Sequence, residues 1–316
     1  MNYKLTNYTS EDLKNRVKEK PFSHFVVDDF LDKDLFLNLD KDFREFYMSR
    51  GLNLDHLRQH RENSPNHKLL DKNFQIIHWG KDLNESTNGQ VDGSFKLMGA
   101  NVHHNNRTYG CTIDYGGGSK NLDNFQSLAN HSSHWKSFLN VIYSSDFFEY
   151  MHDIFSETTE LKDRIKDNPP RHVGTKINRY TDNYGWVIHR DTDDKILSFM
   201  LYLDNYDWPD DIKGNGTQLW EIGEEDTDFD TTEEYKYNGN SIDFQLKDGR
   251  FKRSSLLTNE QKKKIKIYKD IDFKPNRFIG FVRSNKSFHS ILPMKLPDLV
   301  TRNCFQINIW ESNPDE

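Results

Sequence analysis

Residues 186–205 read WVIHRDTDDKILSFMLYLDN, a stretch that places an imidazole and a carboxylate two residues apart, His189 and Asp191. Residues at i and i+2 on extended backbone project to one face, so both side chains can reach one ion while Arg190 points away. Alone the pair says little: with 13 His in a chain rich in Asp, roughly one His-x-Asp arises by chance. A mononuclear iron site needs two neutral imidazoles and one carboxylate on one face of the metal, with positions left open for co-substrate and oxygen. The third ligand must then be a histidine from a distant strand. The run NRFIGFVRSNKSFHSILPM supplies His289, just after the strand-like NRFIGFV. Thirteen residues later Arg302 opens RNCFQINIW, where a guanidinium can hold a carboxylate by two prongs.

These residues need a scaffold of strands, and the chain offers one. After Pro169-Pro170 it runs HVGTKINRY, GWVIH, KILSFMLYL, GTQLWEI, IYKDIDF, NRFIGFV and RNCFQINIW, rich in β-branched and aromatic residues and punctuated by Gly, Asn, Asp and Pro. Many short strands without intervening helices predict an antiparallel sandwich or jelly roll over residues 171–316. An insertion at about residues 224–268, acidic in GEEDTDFDTTEEYKY and basic in NEQKKKIKIYK, interrupts it. It reads as a solvated insertion or, in a sharper reading, as a lid over the site.

Residues 1–170 read as a helical and irregular support region, and the whole chain as one structural domain of α+β, mainly β, class. Within that region HFVV leads into a helix with Leu35, Leu39, Phe43 and Tyr47 on one stripe. A second helix has Trp135, Phe138, Leu139 and Ile142 at i, i+3, i+4, i+7, behind a Ser cap at 132 or 133, and Met151 and Ile154 extend the pattern. Residues 50–130 carry turn signals and no element that can be assigned.

Composition narrows the class. Hydrophobic residues make up 34% and aromatics 13%, a balance that predicts a globular chain able to bury a core. The net charge of −7 argues against nucleic acid as a partner. No segment approaches the ~20 apolar residues of a membrane span, and MNYKLTNYTSEDLKNRVKEK has no apolar leader, which predicts a cytoplasmic protein without a membrane anchor. Cys111 and Cys304 are far apart and form no C-x-x-C pair, in keeping with a reducing compartment.

The ordered set Asn178-Arg179-Tyr180, His189-Arg190-Asp191, Leu201-Tyr202-Leu203, Gly216-Thr217, Asn276-Arg277-Phe278, His289 and Arg302 resembles the Fe(II)- and 2-oxoglutarate-dependent oxygenases of the prolyl 4-hydroxylase type, over residues 171–311. The resemblance implies a double-stranded β-helix (jelly roll) core with N-terminal supporting helices. It implies that His189, Asp191 and His289 bind Fe(II), that Arg302 binds the distal carboxylate of 2-oxoglutarate, and that O2 is the other co-substrate. The implied reaction is hydroxylation of a C–H bond, with succinate and CO2 released. Many prolyl hydroxylases carry Lys where this chain has Arg302, a departure that leaves the substrate open. Related halogenases have a small residue in place of the carboxylate, so Asp191 implies hydroxylation rather than halogenation.

Further residues are weaker candidates. Tyr180 stands nine residues before His189, where members of the family place a tyrosine against the co-substrate, and an ordinary strand aromatic is the competing reading. Tyr202 lines the pocket only if its strand keeps register, since a one-residue slip turns it outward. Asn178, on the Lys176/Asn178/Tyr180 face, is a candidate to line the iron pocket. Tyr184, Trp186 and Arg283 are candidates for the substrate mouth, read first as structural, and Asp204, Trp208 and Trp220 for the pocket wall. The pairs His103-His104 and His131/His134 lack a carboxylate or cysteine at ligand spacing and read as structural. Nucleic-acid repair enzymes of the family carry a second arginine six residues after the first; here that position is Asn308. The competing functions are a jelly-roll binding module for carbohydrate or another small ligand, and a cupin-like metalloenzyme that does not use 2-oxoglutarate. A small-molecule substrate is expected before a protein, because no groove for an extended peptide is readable.

Overall fold

The computed structural model describes residues 5–49, 76–77, 96–100, 109–115, 132–165, 172–180, 186–191, 195–203, 214–222, 243–245, 251–253, 255–256, 264–291, 296 and 302–310. Five helices lie among them: α1 (Ser10–Lys14), α2 (Lys33–Ser49), α3 (Ser133–Ile142), α4 (Ser145–Phe155) and α5 (Thr159–Ile165). In α3 the Ser132 hydroxyl caps the first turn by accepting from Trp135 N–H, and Trp135, Phe138, Leu139 and Ile142 form its buried stripe. The apolar pattern continues past Ser144 as a separate helix, because the Ser144 side chain accepts from Phe147 N–H and starts α4 afresh. Helix α2 buries Phe36, Leu39 and Phe43. The Trp135 indole N–H donates to Leu39 O at 2.8 Å, tying α3 to α2.

Eight strands form the larger sheet: β1 (His24–Val27), β2 (Ile76–Ile77), β3 (Lys96–Ala100), β4 (Tyr109–Tyr115), β5 (His172–Tyr180), β7 (Lys195–Leu203), β13 (Phe278–Val282) and β15 (Arg302–Trp310). Their order is β1-β13-β7-β15-β5-β4-β3-β2, antiparallel throughout. The second sheet has five, β6 (Trp186–Arg190), β8 (Thr217–Ile222), β11 (Ser255–Leu256), β12 (Ile265–Ile271) and β14 (His289–Ile291), in the order β11-β6-β14-β8-β12. Strands β9 (Asp243–Gln245) and β10 (Phe251–Arg253) pair with each other.

Alternation along the central strands sets the layers. Leu197, Phe199 and Leu201 of β7 and Phe305, Ile307 and Ile309 of β15 share one core with the helical Trp135, Phe138, Leu139 and Phe155. Met200, Tyr202 and Cys304 point the other way, into a core with Leu219, Ile271 and Phe281. The larger sheet is therefore a middle layer, helices on one face and the smaller sheet on the other. Covered on both faces, β7 buries every residue after Lys195, which accounts for its unbroken run KILSFMLYL.

The two main antiparallel sheets with five helices make a mixed α+β fold. Three strands, β2 to β4, fall inside residues 50–130, which carried no assignable element in the sequence, and they extend the larger sheet beyond β5. The stretch expected as an insertion supplies β9, β10, β11 and the first residues of β12. Asn276 fastens the segment that follows β1 to the turn before β13. It holds a left-handed φ of 59°, its Oδ1 accepts from Leu31 N–H and its Nδ2 donates to Leu31 O, both at 2.9 Å. Next to it the Arg277 Nε lies 2.6 Å from Asp28 Oδ1. Among the described residues no helix is long and apolar enough to cross a membrane.

Candidate metal centre

Strands β6 and β14 are antiparallel neighbours, and their register sets His189 directly opposite His289. Side chains at opposed positions of such a pair share a face and nearly touch. The two imidazole rings accordingly lie 4.2 Å apart between centroids, tilted by 51°. Asp191 follows the last residue of β6, and its Oδ1 is 3.8 Å from His189 Nε2. One ligand atom from each of His189, Asp191 and His289 lies within 4.8 Å of the others. No other group of three His, Cys, Asp or Glu does so among the described residues. Both histidines are buried, at 9% and 8% exposure, and the Phe281 ring closes on His289 at 4.8 Å between centroids.

Protonation suits ligation. His289 Nδ1 is 3.0 Å from Ser287 O. A carbonyl only accepts, so Nδ1 carries the hydrogen and Nε2 keeps its lone pair. Burial pushes the His289 imidazole below its usual pKa, against the pull of Asp191 and the Ser287 hydrogen bond, and the ring is neutral near pH 7. For Asp191 burial opposes the charged form, but Lys195, His289, His189 and the Ser198 hydroxyl outweigh it and hold the carboxyl well below the usual range. The site thus offers the His289 lone pair and an ionised carboxylate, with the His189 imidazole beside them.

Arg302, the first residue of β15, is completely buried. Its guanidinium carbon stands 5.0 Å from the Tyr202 ring centroid, and its Nη2 donates to Thr217 Oγ1 at 3.4 Å. The Tyr202 hydroxyl meets the same Oγ1 at 2.8 Å. Tyr202 therefore faces inward, stacked on Phe273 at 4.8 Å, and not outward as a slipped register would have it. Thr217 is the hinge of this trio and sits two residues from Leu219, the residue paired with His289. Gly216 lets β8 begin there: a Cβ on it would lie 1.8 Å from Ile271 O. The backbone register sets Tyr180 opposite Arg302, and Asn178 opposite Cys304.

Other expected residues take supporting places. Arg283 is buried and donates through Nε to Asp191 O at 3.2 Å, while Arg190 Nη1 donates to Asn285 Oδ1 at 3.0 Å. The Trp220 indole N–H donates to Ser290 Oγ at 2.9 Å. His134 does have a carboxylate partner, Asp42 at 2.8 Å, contributed by α2 and so invisible in local spacing. Tyr184, His103, His104, His131, Asp204 and Trp208 lie outside the described residues. Two contacts had no sequence signal. Lys195 Nζ is 3.0 Å from Asp191 Oδ1, and Ser198 Oγ donates to Asp191 Oδ2 at 2.7 Å.

No known family model matches the sequence, and no curated protein matches it. Among solved structures, a Pseudomonas putida prolyl-4-hydroxylase is similar at 12% identity and a TM-score of 0.38, covering 96% of this chain and 97% of that one. The epimerase SnoN in complex with Fe3+, alpha-ketoglutarate and nogalamycin RO is similar at 7% identity and a TM-score of 0.42, covering 96% and 83%. Likenesses this slight carry no weight for the chemistry, which rests on the residues of the site.

Proposed function

We propose that this chain is an Fe(II)- and 2-oxoglutarate-dependent dioxygenase, built on a double-stranded β-helix core, that hydroxylates a C–H bond of a small-molecule substrate. The observation that carries the reading is the convergence of His189, Asp191 and His289 within 4.8 Å. Two imidazoles and one carboxylate suit a non-haem ferrous ion and leave coordination positions open. The donor set fits in charge as well as in type, since His289 presents a bare Nε2 and Asp191 is ionised. With Fe(II) held there, the centre would supply oxygen activation: O2, 2-oxoglutarate and R–H give R–OH, succinate and CO2, one oxygen atom entering the alcohol and the other the succinate.

The protein's own part is binding, orientation and exclusion of water. Arg302 would hold the distal carboxylate of 2-oxoglutarate, a task for which a completely buried guanidinium is suited by its fixed charge and planar fork. Thr217 and Tyr202 would steady that guanidinium and offer hydroxyls to the same carboxylate. Tyr180 and Asn178 belong to this reading as co-substrate neighbours on β5, through their register with β15. The acidic net charge and Asn308 at the place of a second arginine favour a small molecule over nucleic acid.

The test is an anaerobic titration of the full chain with Fe(II) and 2-oxoglutarate, watched for a visible metal-to-ligand charge-transfer band. The wild type should develop the band, His289→Ala should abolish it, and Arg302→Ala should demand far more 2-oxoglutarate. A folded, iron-loaded wild type without a band overturns the 2-oxoglutarate reading and leaves the binding module or the cupin-like enzyme. A band that survives unchanged in Arg302→Ala overturns the assignment of that arginine.

A further inference from the structure

We infer that Lys195, Ser198 and Arg283 form a three-point clamp that holds Asp191 in its ligating posture, with Lys195 and Ser198 as positioning residues for the metal. The inference rests on the metal centre proposed above. Asp191 lies just past the end of β6, beyond the last residue whose backbone the ladder holds. Its backbone and both carboxylate oxygens are instead held one by one. Arg283 Nε donates to the main-chain oxygen at 3.2 Å, Lys195 Nζ lies 3.0 Å from Oδ1, and Ser198 Oγ donates to Oδ2 at 2.7 Å.

All three partners belong to or follow strands of the larger sheet, Lys195 and Ser198 on β7 and Arg283 just after β13. The ligand is thereby braced from the opposite layer, independently of the two histidines, which are paired within the smaller sheet. Carboxylate ligands to metals are commonly hydrogen-bonded by such outer partners, which fix their orientation. An exposed Lys–Asp pair would be worth little, but the Lys195 and Asp191 side chains are each only 14% exposed. The Lys195 ammonium also stands 5.8 Å from the Trp310 ring centroid, within reach of a cation–π contact.

The clamp predicts a definite sign. An ammonium beside a dication repels it, so a lysine that merely shared the neighbourhood would weaken metal binding, and its removal would tighten it. A lysine that orients the carboxylate does the opposite.

The experiment titrates the metal-free full chain with Co(II), read by calorimetry and by the visible d–d spectrum, with far-UV circular dichroism as the check on folding. Wild type should bind one equivalent and His289→Ala should not. Ser198→Ala and Lys195→Met should each weaken binding, by about 10- to 100-fold, as loss of outer-shell partners commonly does. Both should alter the d–d bands, and Lys195→Arg should restore most of the affinity. Should Lys195→Met fail to fold, Ser198→Ala, which only removes a hydroxyl, decides the matter. Unchanged affinity and spectra in Ser198→Ala and Lys195→Met, or tighter binding in Lys195→Met, overturn the clamp while the metal centre stands. A wild type that takes up no stoichiometric Co(II) overturns both.

Discussion

Replacing Gly216 by Ala tests how closely β8 approaches β12. The added Cβ would stand 1.8 Å from Ile271 O and 2.9 Å from the carbonyl carbons of Ile271 and Asp272. These are backbone atoms, which no rotamer change can move aside. Carbon–oxygen contacts seldom fall below about 3.3 Å, so the strands must part locally by roughly 1.5 Å, enough to break a hydrogen bond. The first two pairs of the ladder, Thr217 with Ile271 and Gln218 with Asp270, lie next to the intrusion. Losing two such bonds costs about 1 kcal/mol each, and forcing a methyl into a filled space adds about 1–3 kcal/mol. The sum is about 3–5 kcal/mol, and at about 2–4 °C per kcal/mol for a chain of this order the Tm should fall by roughly 10 °C. Gly216 has no left-handed φ to relieve, so the cost is steric alone. Because Thr217 moves with the strand, 2-oxoglutarate affinity should fall further than Co(II) affinity. Calorimetric unfolding with paired ligand titrations measures both. A variant with the melting temperature and 2-oxoglutarate affinity of wild type would refute the close approach and the place given to Thr217.

Tyr202→Phe keeps the ring on Phe273 but removes the hydroxyl from Thr217 Oγ1. Urea unfolding should register a loss of about 1–2 kcal/mol, and isothermal titration a weaker hold on 2-oxoglutarate. Asn276→Ala strips the backbone of Leu31 of two partners and leaves a Cβ residue at a φ of 59°. It should cost about 2–4 kcal/mol, with Asn276→Gly milder by about 1 kcal/mol because only the conformational part is relieved. Equal stability of the two variants in chemical unfolding would sink the strain argument. His24 is buried, and burial lowers its imidazole pKa below the usual value, against a hydrogen bond to Phe22 O and with help from Lys269 and Lys18. The unfolded chain takes up this proton as pH drops below about 6.5 while the folded chain resists it, so stability is lost on acidification. In His24→Gln the urea midpoint should fall less between about pH 7 and pH 5 than in wild type; parallel curves for the two proteins would refute the assignment.

How legible all this was depended on what held each element in place. HVGTKINRY, KILSFMLYL and RNCFQINIW coincide with β5, β7 and β15, long strands whose composition announces them, β7 and β15 being buried along nearly their whole length. Helix α3 was equally plain, with a cap and a stripe at the right spacing. Strand β14 was not, since three residues gain strand form only from β6 and β8 on either side. Strands β2 to β4 lie in a polar stretch and are strands by virtue of successive pairing, β4 on β5, β3 on β4 and β2 on β3. The convergence of His189, Asp191 and His289 was legible because two imidazoles and a carboxylate make one of few chemically sensible groupings. Ser198 and Lys195 were not, because Ser and Lys follow no spacing rule relative to the carboxylate they brace. Asn276 and Arg277 read as part of a functional pattern, and the structure gives them anchoring contacts to Leu31 and Asp28.

His24 makes a local bridge with Lys18, but among the named strands of the described residues β1 pairs with β13 alone, His24 lying against Phe281 and Val27 against Phe278. Some 250 residues separate these partners in the chain. At about 5–20 residues per second of synthesis, β1 waits on the order of 10–50 s for its neighbour to leave the ribosome. Throughout that interval HFVV is an apolar segment whose backbone beyond the local His24–Lys18 bridge lacks its β13 partner, the kind of edge that recruits other chains. The helices cannot shelter it, because the core they share with Phe25 is completed by Phe199 and Phe278. Folding of this chain is therefore a race decided at its far end, and dilution, low temperature or a holding chaperone should raise the yield of native protein more than any change to the helices.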